Sequence, residues 1–233
     1  MKSKVILVVL ILNCFDSFSQ KNKTSLAAFD LSISTNADFA SAEAFSWYRI
    51  HPLALKNKFS LGYGIRYTAM QNNHQKFVTA PANVSEGNFF KKQNEAKLDS
   101  FFVPSSVIFS FNAMIYLHYQ INKKLSVSFN IDAIGFSFGK KLNGTFEAYS
   151  LNQTPSNQNA KVTPFNALLT GDYDWGSLNS EFSVNYKLND KWVIRPGITF
   201  LFAEYTTTNK LTFNNDRFRK KTLLPMIGLS YCY

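Results

Sequence analysis

Cysteine is nearly absent from this chain of 233 residues. There are two, and one of them, Cys14, falls in a leading segment that reads as removable. With Cys232 alone in the remainder no intramolecular disulfide can form, so stability has to come from burial and pairing. Histidine is almost as scarce: His51, His74 and His118 are scattered, and with two cysteines they make no metal-ligand spacing. Neither a Gly-x-Ser-x-Gly elbow nor a His-x-Ser pairing occurs, so hydrolytic chemistry has no visible nucleophile and base, and no cofactor motif stands out. Acidic residues are outnumbered 15 to 25 by Lys and Arg, for a net charge of +10. Nowhere, the short run at the start included, is there an apolar stretch of the ~20 residues that a membrane-spanning helix requires.

The first residues have a pattern of their own. Lys2 and Lys4 precede a short apolar run from Val5 to Leu12, and Ser17-Phe18-Ser19 places small residues where a signal peptidase cuts. The expected organisation is a cleaved secretory signal over 1–19 and a single domain over 20–233. Loss of Lys2, Lys4 and Asp16 lowers the net charge from +10 to +9. For an exported chain, nucleic acid is not the expected counter-charge; anionic lipid head groups and lipopolysaccharide phosphates are.

What the chain has in abundance is alternation at period two. Phe59, Leu61, Tyr63, Ile65 and Tyr67 alternate with Ser60, Gly62, Gly64, Arg66 and Thr68. The same reading holds at 107–119, 125–131, 182–188 and 194–203, with a phase shift near Ala133 that predicts a β-bulge there. Strand 43–53 resists phasing, because Phe45 and Trp47 share parity with Arg49 and His51; a bulge or an aromatic interior is expected. Pro196 is expected to force a second bulge. Three turns, 55–59, 121–125 and 188–192, share an apolar–polar–polar–Lys–apolar pattern, with lysines at 58, 124 and 191. They predict tight hairpins separated by long loops at 71–103, 139–177 and 206–221 and a short connection at 36–42. Aromatics bracket the runs: Phe59, Tyr119, Tyr186, Trp192 and Tyr233 at the turn end, Tyr67, Phe101, Phe102 and Tyr205 at the loop end.

These runs make eight strands, with 151–169 left open as a further hairpin that would make ten. The last, 223–233, sets Leu223, Pro225, Ile227, Leu229, Tyr231 and Tyr233 on one face and small or weakly polar residues on the other. The fold class is all-β: an antiparallel up-and-down transmembrane β-barrel. With its ending Gly228-x-x-Tyr231-x-Tyr233, the chain resembles small outer-membrane β-barrel proteins of the OmpA/OmpX-like superfamily, of the kind found in Bacteroidota. The resemblance implies an outer-membrane location with both termini periplasmic, barrel-assembly machinery recognising the last strand, and a role in envelope stability or loop presentation. It supplies no active site.

Two groups of residues stand out as candidate sites. Asp30, Arg66, His118, Asp132, Glu181, Lys187 and Arg195 share the inward parity and are expected to form an ionic network that plugs the lumen, the alternative being a narrow solute or ion path. Arg217, Arg219, Lys220 and Lys221 end the last loop and are expected to contact lipopolysaccharide phosphates. The polar, aromatic loop 140–177 is a candidate face for an extracellular protein or glycan. A non-enzymatic barrel is the expectation. A barrel enzyme acting on outer-leaflet lipid and a soluble lipocalin-like carrier are the competing classes, and the carrier would need the opposite parity, apolar within and polar without.

Overall fold

A computed structural model describes residues 25–36, 40–53, 58–80, 97–148, 154–169 and 173–233. The expected signal segment and the centre of the first turn lie outside the described residues. Eleven strands form one antiparallel sheet: β1 (Leu26–Thr35), β2 (Ser41–Pro52), β3 (Phe59–Thr79), β4 (Ser100–Gln120), β5 (Leu125–Gly139), β6 (Leu142–Glu147), β7 (Ser156–Val162), β8 (Phe165–Ala167), β9 (Leu178–Lys187), β10 (Trp192–Thr207) and β11 (Arg217–Cys232). Eight of them close a ring, β1-β2-β3-β4-β5-β9-β10-β11, with β11 pairing back onto β1 from Ala28↔Cys232 to Ser34↔Met226. Closure leaves this ring with no free edge.

Local chemistry sets the turns. Asn122 Oδ1 accepts from the backbone N–H groups of Lys124 and Leu125, each at 2.9 Å. Asn189 does the same for Lys191 and Trp192, also at 2.9 Å. An Asn side chain that mimics a backbone acceptor is what a tight connection between long strands needs. These turns, the start of β1 and the end of β11 lie at one end of the barrel, here the lower end.

The bulge falls where the phase shift put it: Ala113 pairs Ile134 while Met114 pairs Asp132, leaving Ala133 as the extra residue. Two expectations fail. β2 needs no bulge, since its register with β1 and β3 is unbroken, and the aromatic that it turns inward is Tyr48, not Phe45 or Trp47. Phe45, Trp47, Arg49 and His51 all point outward, and the polar pair simply lies at the lower rim, with His51 stacked 5.9 Å from the Tyr63 ring. Pro196 forces no bulge either. It faces outward in register with Ile227, and the β9–β10 pairing resumes at Gly197↔Ser183 on the same count.

The described parts of the long loops are largely strand. β3 and β4 continue to Thr79 and from Ser100, and both switch parity together, at His74 (φ 50°) and at Pro104-Ser105. Above the switch Phe77, Phe101 and Val103 turn inward, and with Tyr205 this corrects the expected outer aromatic belt, of which Tyr67 and Phe102 stay outward. The β6–β7 hairpin adds no strand to the eight-strand ring. It bridges β4 and β10 above it, and β11 pairs β3 at Phe218↔Thr79, so a six-stranded ring β3-β4-β6-β7-β10-β11 sits on top. Its interior is apolar: Phe77 meets Tyr205 edge-on at 5.4 Å, and Phe218 packs on Phe101 and Phe146 at 5.6 and 5.7 Å.

The wall of the lower ring is inverted relative to a water-soluble protein. Leu31, Phe136 and Leu223 are 52%, 53% and 60% exposed, while Arg66, Asp132 and Arg195 beneath them are at most 1% exposed. Deleting Ala133 should remove the bulge yet keep Ile134, Phe136 and Phe138 outward, since Asp132 and Ile134 then simply alternate. The compact gel band that shifts only on boiling should survive, whereas deletion of Ile131, which sends Asp132 into the wall, should abolish it.

Candidate functional site

The lower ring is filled by charge. Arg66 on β3 donates to Asp132 Oδ1 from Nε at 2.9 Å and from Nη2 at 2.6 Å, and to Asn130 Oδ1 and the Asn179 carbonyl at 2.5 Å each. The other oxygen of Asp132 accepts from Asn112 Nδ2 at 2.7 Å and from the Asn179 backbone N–H at 2.9 Å. Glu181 on β9 links this half to the next. It lies 3.5 Å from Arg66 Nη1, accepts from Arg195 Nη2 and Asn130 Nδ2 at 3.0 Å, and accepts from Ser32 Oγ at 2.8 Å. Arg195 completes the line by pairing with Asp30, whose Oδ1 accepts from Ser230 Oγ at 2.7 Å. Five strands therefore share one network of two guanidiniums and three carboxylates. Burial of this kind is tolerated only when nearly every lone pair and proton is engaged.

Five of the seven expected network residues are brought together here. His118 and Lys187 are not. His118 lies one turn lower on β4, half-buried, with its Nδ1 buried and without a hydrogen-bond partner. Lys187 sits at the lower rim, 2.9 Å from Asp190, where its ammonium holds that exposed carboxyl below the ordinary range. The side chains of Asn112 and Asn130 and the backbone of Asn179 complete the network, the Asn179 side chain accepting instead from Thr199. Their inward parity was readable, but which carboxylate each would meet depends on cross-barrel neighbours.

The four basic residues at 217–221 do not act as one surface. Arg217 and Arg219 are 7% and 2% exposed. They have outward parity on β11, and register sets Arg219 opposite Glu204 of β10. Arg217 holds Glu204 through Nε and Nη2 at 2.8 and 3.0 Å, and Arg219 holds it at 2.9 and 2.7 Å. Both also donate to the Asp174 carbonyl, and Trp175 covers Arg217 with its ring centre 3.8 Å from the guanidinium carbon. Segment 173–177 is thus latched to the outside of β10 and β11, and the expected four-residue phosphate clamp is corrected: only Lys220 and Lys221 keep solvent exposure. Glu204 was the missed partner. Its signal was a lone carboxylate on an apolar parity, facing two arginines of the same parity.

Below the network, Tyr48 of β2 and Tyr116 of β4 stack at 4.3 Å, closing the lumen from beneath. They meet across Gly64 of β3, where a Cβ would come within 2.9 Å of that of Tyr48 and 2.7 Å of the Met114 methyl. No group of three or more His, Cys, Asp or Glu suited to a metal occurs among the described residues.

The fold and this interior define a closed antiparallel β-barrel with an apolar outer wall and a charged, filled lumen. No protein-family model matches the sequence, and no characterised protein matches it by sequence. Solved structures with a similar outline include Neisserial surface protein A, at 9% identity over 90% of this chain and 96% of that one, with a TM-score of 0.35. Ail, the attachment invasion locus protein of Yersinia pestis, was solved in complex with the heparin analogue sucrose octasulfate; it shares 12% identity over 90% and 96%, TM-score 0.32. The toluene transporter TodX of Pseudomonas putida shares 9% over 92% and 72%, TM-score 0.25. At such values the barrel of this chain rests on its own strand pairing.

Replacing Arg66 by Met should leave Asp132 without its counter-charge and cost about 3–5 kcal/mol of folding stability. The urea midpoint of the barrel in lipid vesicles measures this, and Arg66→Met with Asp132→Asn should recover part of the loss. Glu204→Gln removes the buried counter-charge of Arg217 and Arg219, so it should also lower the midpoint and, by freeing the latch, let chymotrypsin cut at Tyr173 or Trp175.

Proposed function

We propose that this chain is an integral outer-membrane β-barrel with a sealed lumen, non-enzymatic, whose job is to hold a structured outer head in place. The observation that carries the reading is the inverted wall. Leucine, isoleucine and phenylalanine face out around the whole lower ring while paired charges face in, which is favourable only where the surroundings are hydrocarbon. β1 and β9, the shortest strands of the ring, have ten residues each, the length a tilted strand needs to cross a bilayer. A lipocalin-like carrier would have the opposite parity, and a dry ligand cavity would not be lined by Arg66, Asp132, Glu181 and Arg195.

On this reading the lower end, with termini and tight turns, is periplasmic, and β11 is the strand that assembly machinery would engage. The ionic network and the Tyr48–Tyr116 stack close the lumen, and the apolar interior of the six-stranded ring closes it again above. The upper ring and the latched segment 173–177 are then the parts shown to the exterior, where an extracellular protein or glycan is the expected partner. Lys221, outward and exposed on β11, remains as a contact for anionic head groups, whereas Lys220 has the inward parity of Phe218 and Leu224. A solute path would require the network to open.

The test is a single outward substitution. Leu31→Arg should destabilise the barrel in vesicles by about 2–4 kcal/mol if that wall meets the bilayer midplane. An unchanged midpoint would mean that water, and not lipid, surrounds the wall. In planar bilayers the wild-type protein should give no large stable conductance steps.

A further inference from the structure

The lower mouth of the barrel, beneath the tyrosine stack, holds a cavity of about 700 Å³ that the outer head does not use and that the network borders only through Arg195. Its lining is sorted by side. Around the ring, β10, β11, β1 and β2 contribute Val193, Cys232, Leu26 and Ile50, an apolar half-wall. Strands β3, β4, β5 and β9 contribute Ser60, His118, Ser126 and Asn185, a polar half-wall. The cations outside the network are on the polar side, Lys123 and Lys124 in the β4–β5 turn and Lys187 at the foot of β9, while Arg195 of β10 is buried and already paired with Asp30 and Glu181. One carboxylate of the lining, Asp190, is engaged by Lys187. Leu26 has inward parity on β1 yet is 38% exposed, because the cavity opens it to solvent. The buried Nδ1 of His118, without a partner, faces the same space.

A cavity of this size lies within the range of small-molecule sites, and apolar and hydrogen-bonding groups on opposite walls select a ligand with the same division. We infer that the lower mouth is a binding site for a single-chain anionic amphiphile. The alkyl chain lies along Leu26, Ile50, Val193 and Cys232 and ends against the face of Tyr48 and Tyr116. The anionic head meets Lys123, Lys124 and Lys187, with His118 and Ser126 offering hydrogen bonds beside it. Chain and head each contribute, so a cation of equal length loses the lysines, and a short carboxylate loses the apolar half-wall. The site depends on the barrel being folded in a bilayer but not on any role of the outer head.

The probe is dodecanoate, titrated calorimetrically below its micelle concentration against the folded protein in zwitterionic nanodiscs, with empty discs subtracted. Saturable binding at one per barrel is expected, and dodecyltrimethylammonium should bind far more weakly. Lys123→Gln, Lys124→Gln and Lys187→Gln together should weaken dodecanoate about tenfold, the sum expected of three partly exposed charge contacts. Ile50→Trp should fill the cavity and abolish binding. Should that variant fail to fold, the triple lysine variant decides, since its residues are exposed and make no core contact. Heat released no greater than by empty discs, equal binding of the cation, or unchanged affinity in the triple variant would overturn the assignment. So would saturable binding of a glutamate-rich decapeptide in place of dodecanoate, which would give the mouth to an acidic peptide. A gel band that still shifts on boiling separates these outcomes from failure of the barrel itself.

Discussion

Two guanidiniums and three carboxylates share the dry centre of this barrel, and the rest of the structure can be understood from the need to satisfy them. Arg66 and Arg195 are too far inside to reach water, so each must find its acceptors among groups on other strands. Asp132, Glu181 and Asp30 supply them, and the asparagines at 112, 130 and 179 fill what remains. Because the charged partners are spread over β1, β3, β5, β9 and β10, the network is complete only in one register around the whole ring. A slip of one residue in any strand would send charges into the wall and hydrocarbon into the lumen.

The network also divides the lumen into layers with different chemistry. Above it the side chains become apolar, and the sheet narrows from eight strands to six as β1, β2, β5 and β9 end and the β6–β7 hairpin takes over. Fewer strands enclose a smaller interior, which Phe77, Phe101, Phe146, Tyr205 and Phe218 can fill. Below it the stacked tyrosines form a floor, made possible by the missing side chain at Gly64. The mouth under that floor is left open, and its two half-walls differ because they belong to different halves of the ring.

A second ion cluster, Glu204 with Arg217 and Arg219, solves a different problem. It lies on the outward face of β10 and β11, at a height where β9 has already ended, and segment 173–177 covers it. The arginines bind both the carboxylate and the Asp174 carbonyl, so the cluster ties an irregular segment to a regular wall. That role differs from a phosphate contact in a way that residue type cannot reveal. Two guanidiniums in a basic stretch are equally suited to either, and the outcome turned on whether a carboxylate stood opposite.

Alternation by itself determined much of this protein. Period-two runs from 59 to 70, 107 to 119 and 194 to 203 are one-dimensional signals, readable because inward residues are mostly polar or small and outward ones mostly apolar. From them follow the strand count of the main ring, its hairpins, the bulge at Ala133 and the inward parity of Asp30, Arg66, Asp132, Glu181 and Arg195. Only the tertiary structure decided what lies beyond those runs. Above the apolar belt both faces of β3 and β4 are mixed, so the strand continues without a periodic trace, and the parity switch at His74 and Pro104 moves Phe77 and Phe101 inside. Partner choice was equally hidden. Arg66 meets Asp132, Arg219 meets Glu204 and Lys187 meets Asp190 through closure of the ring, cross-strand register and turn geometry, and contact across a closed sheet is not written in the order of residues along the chain.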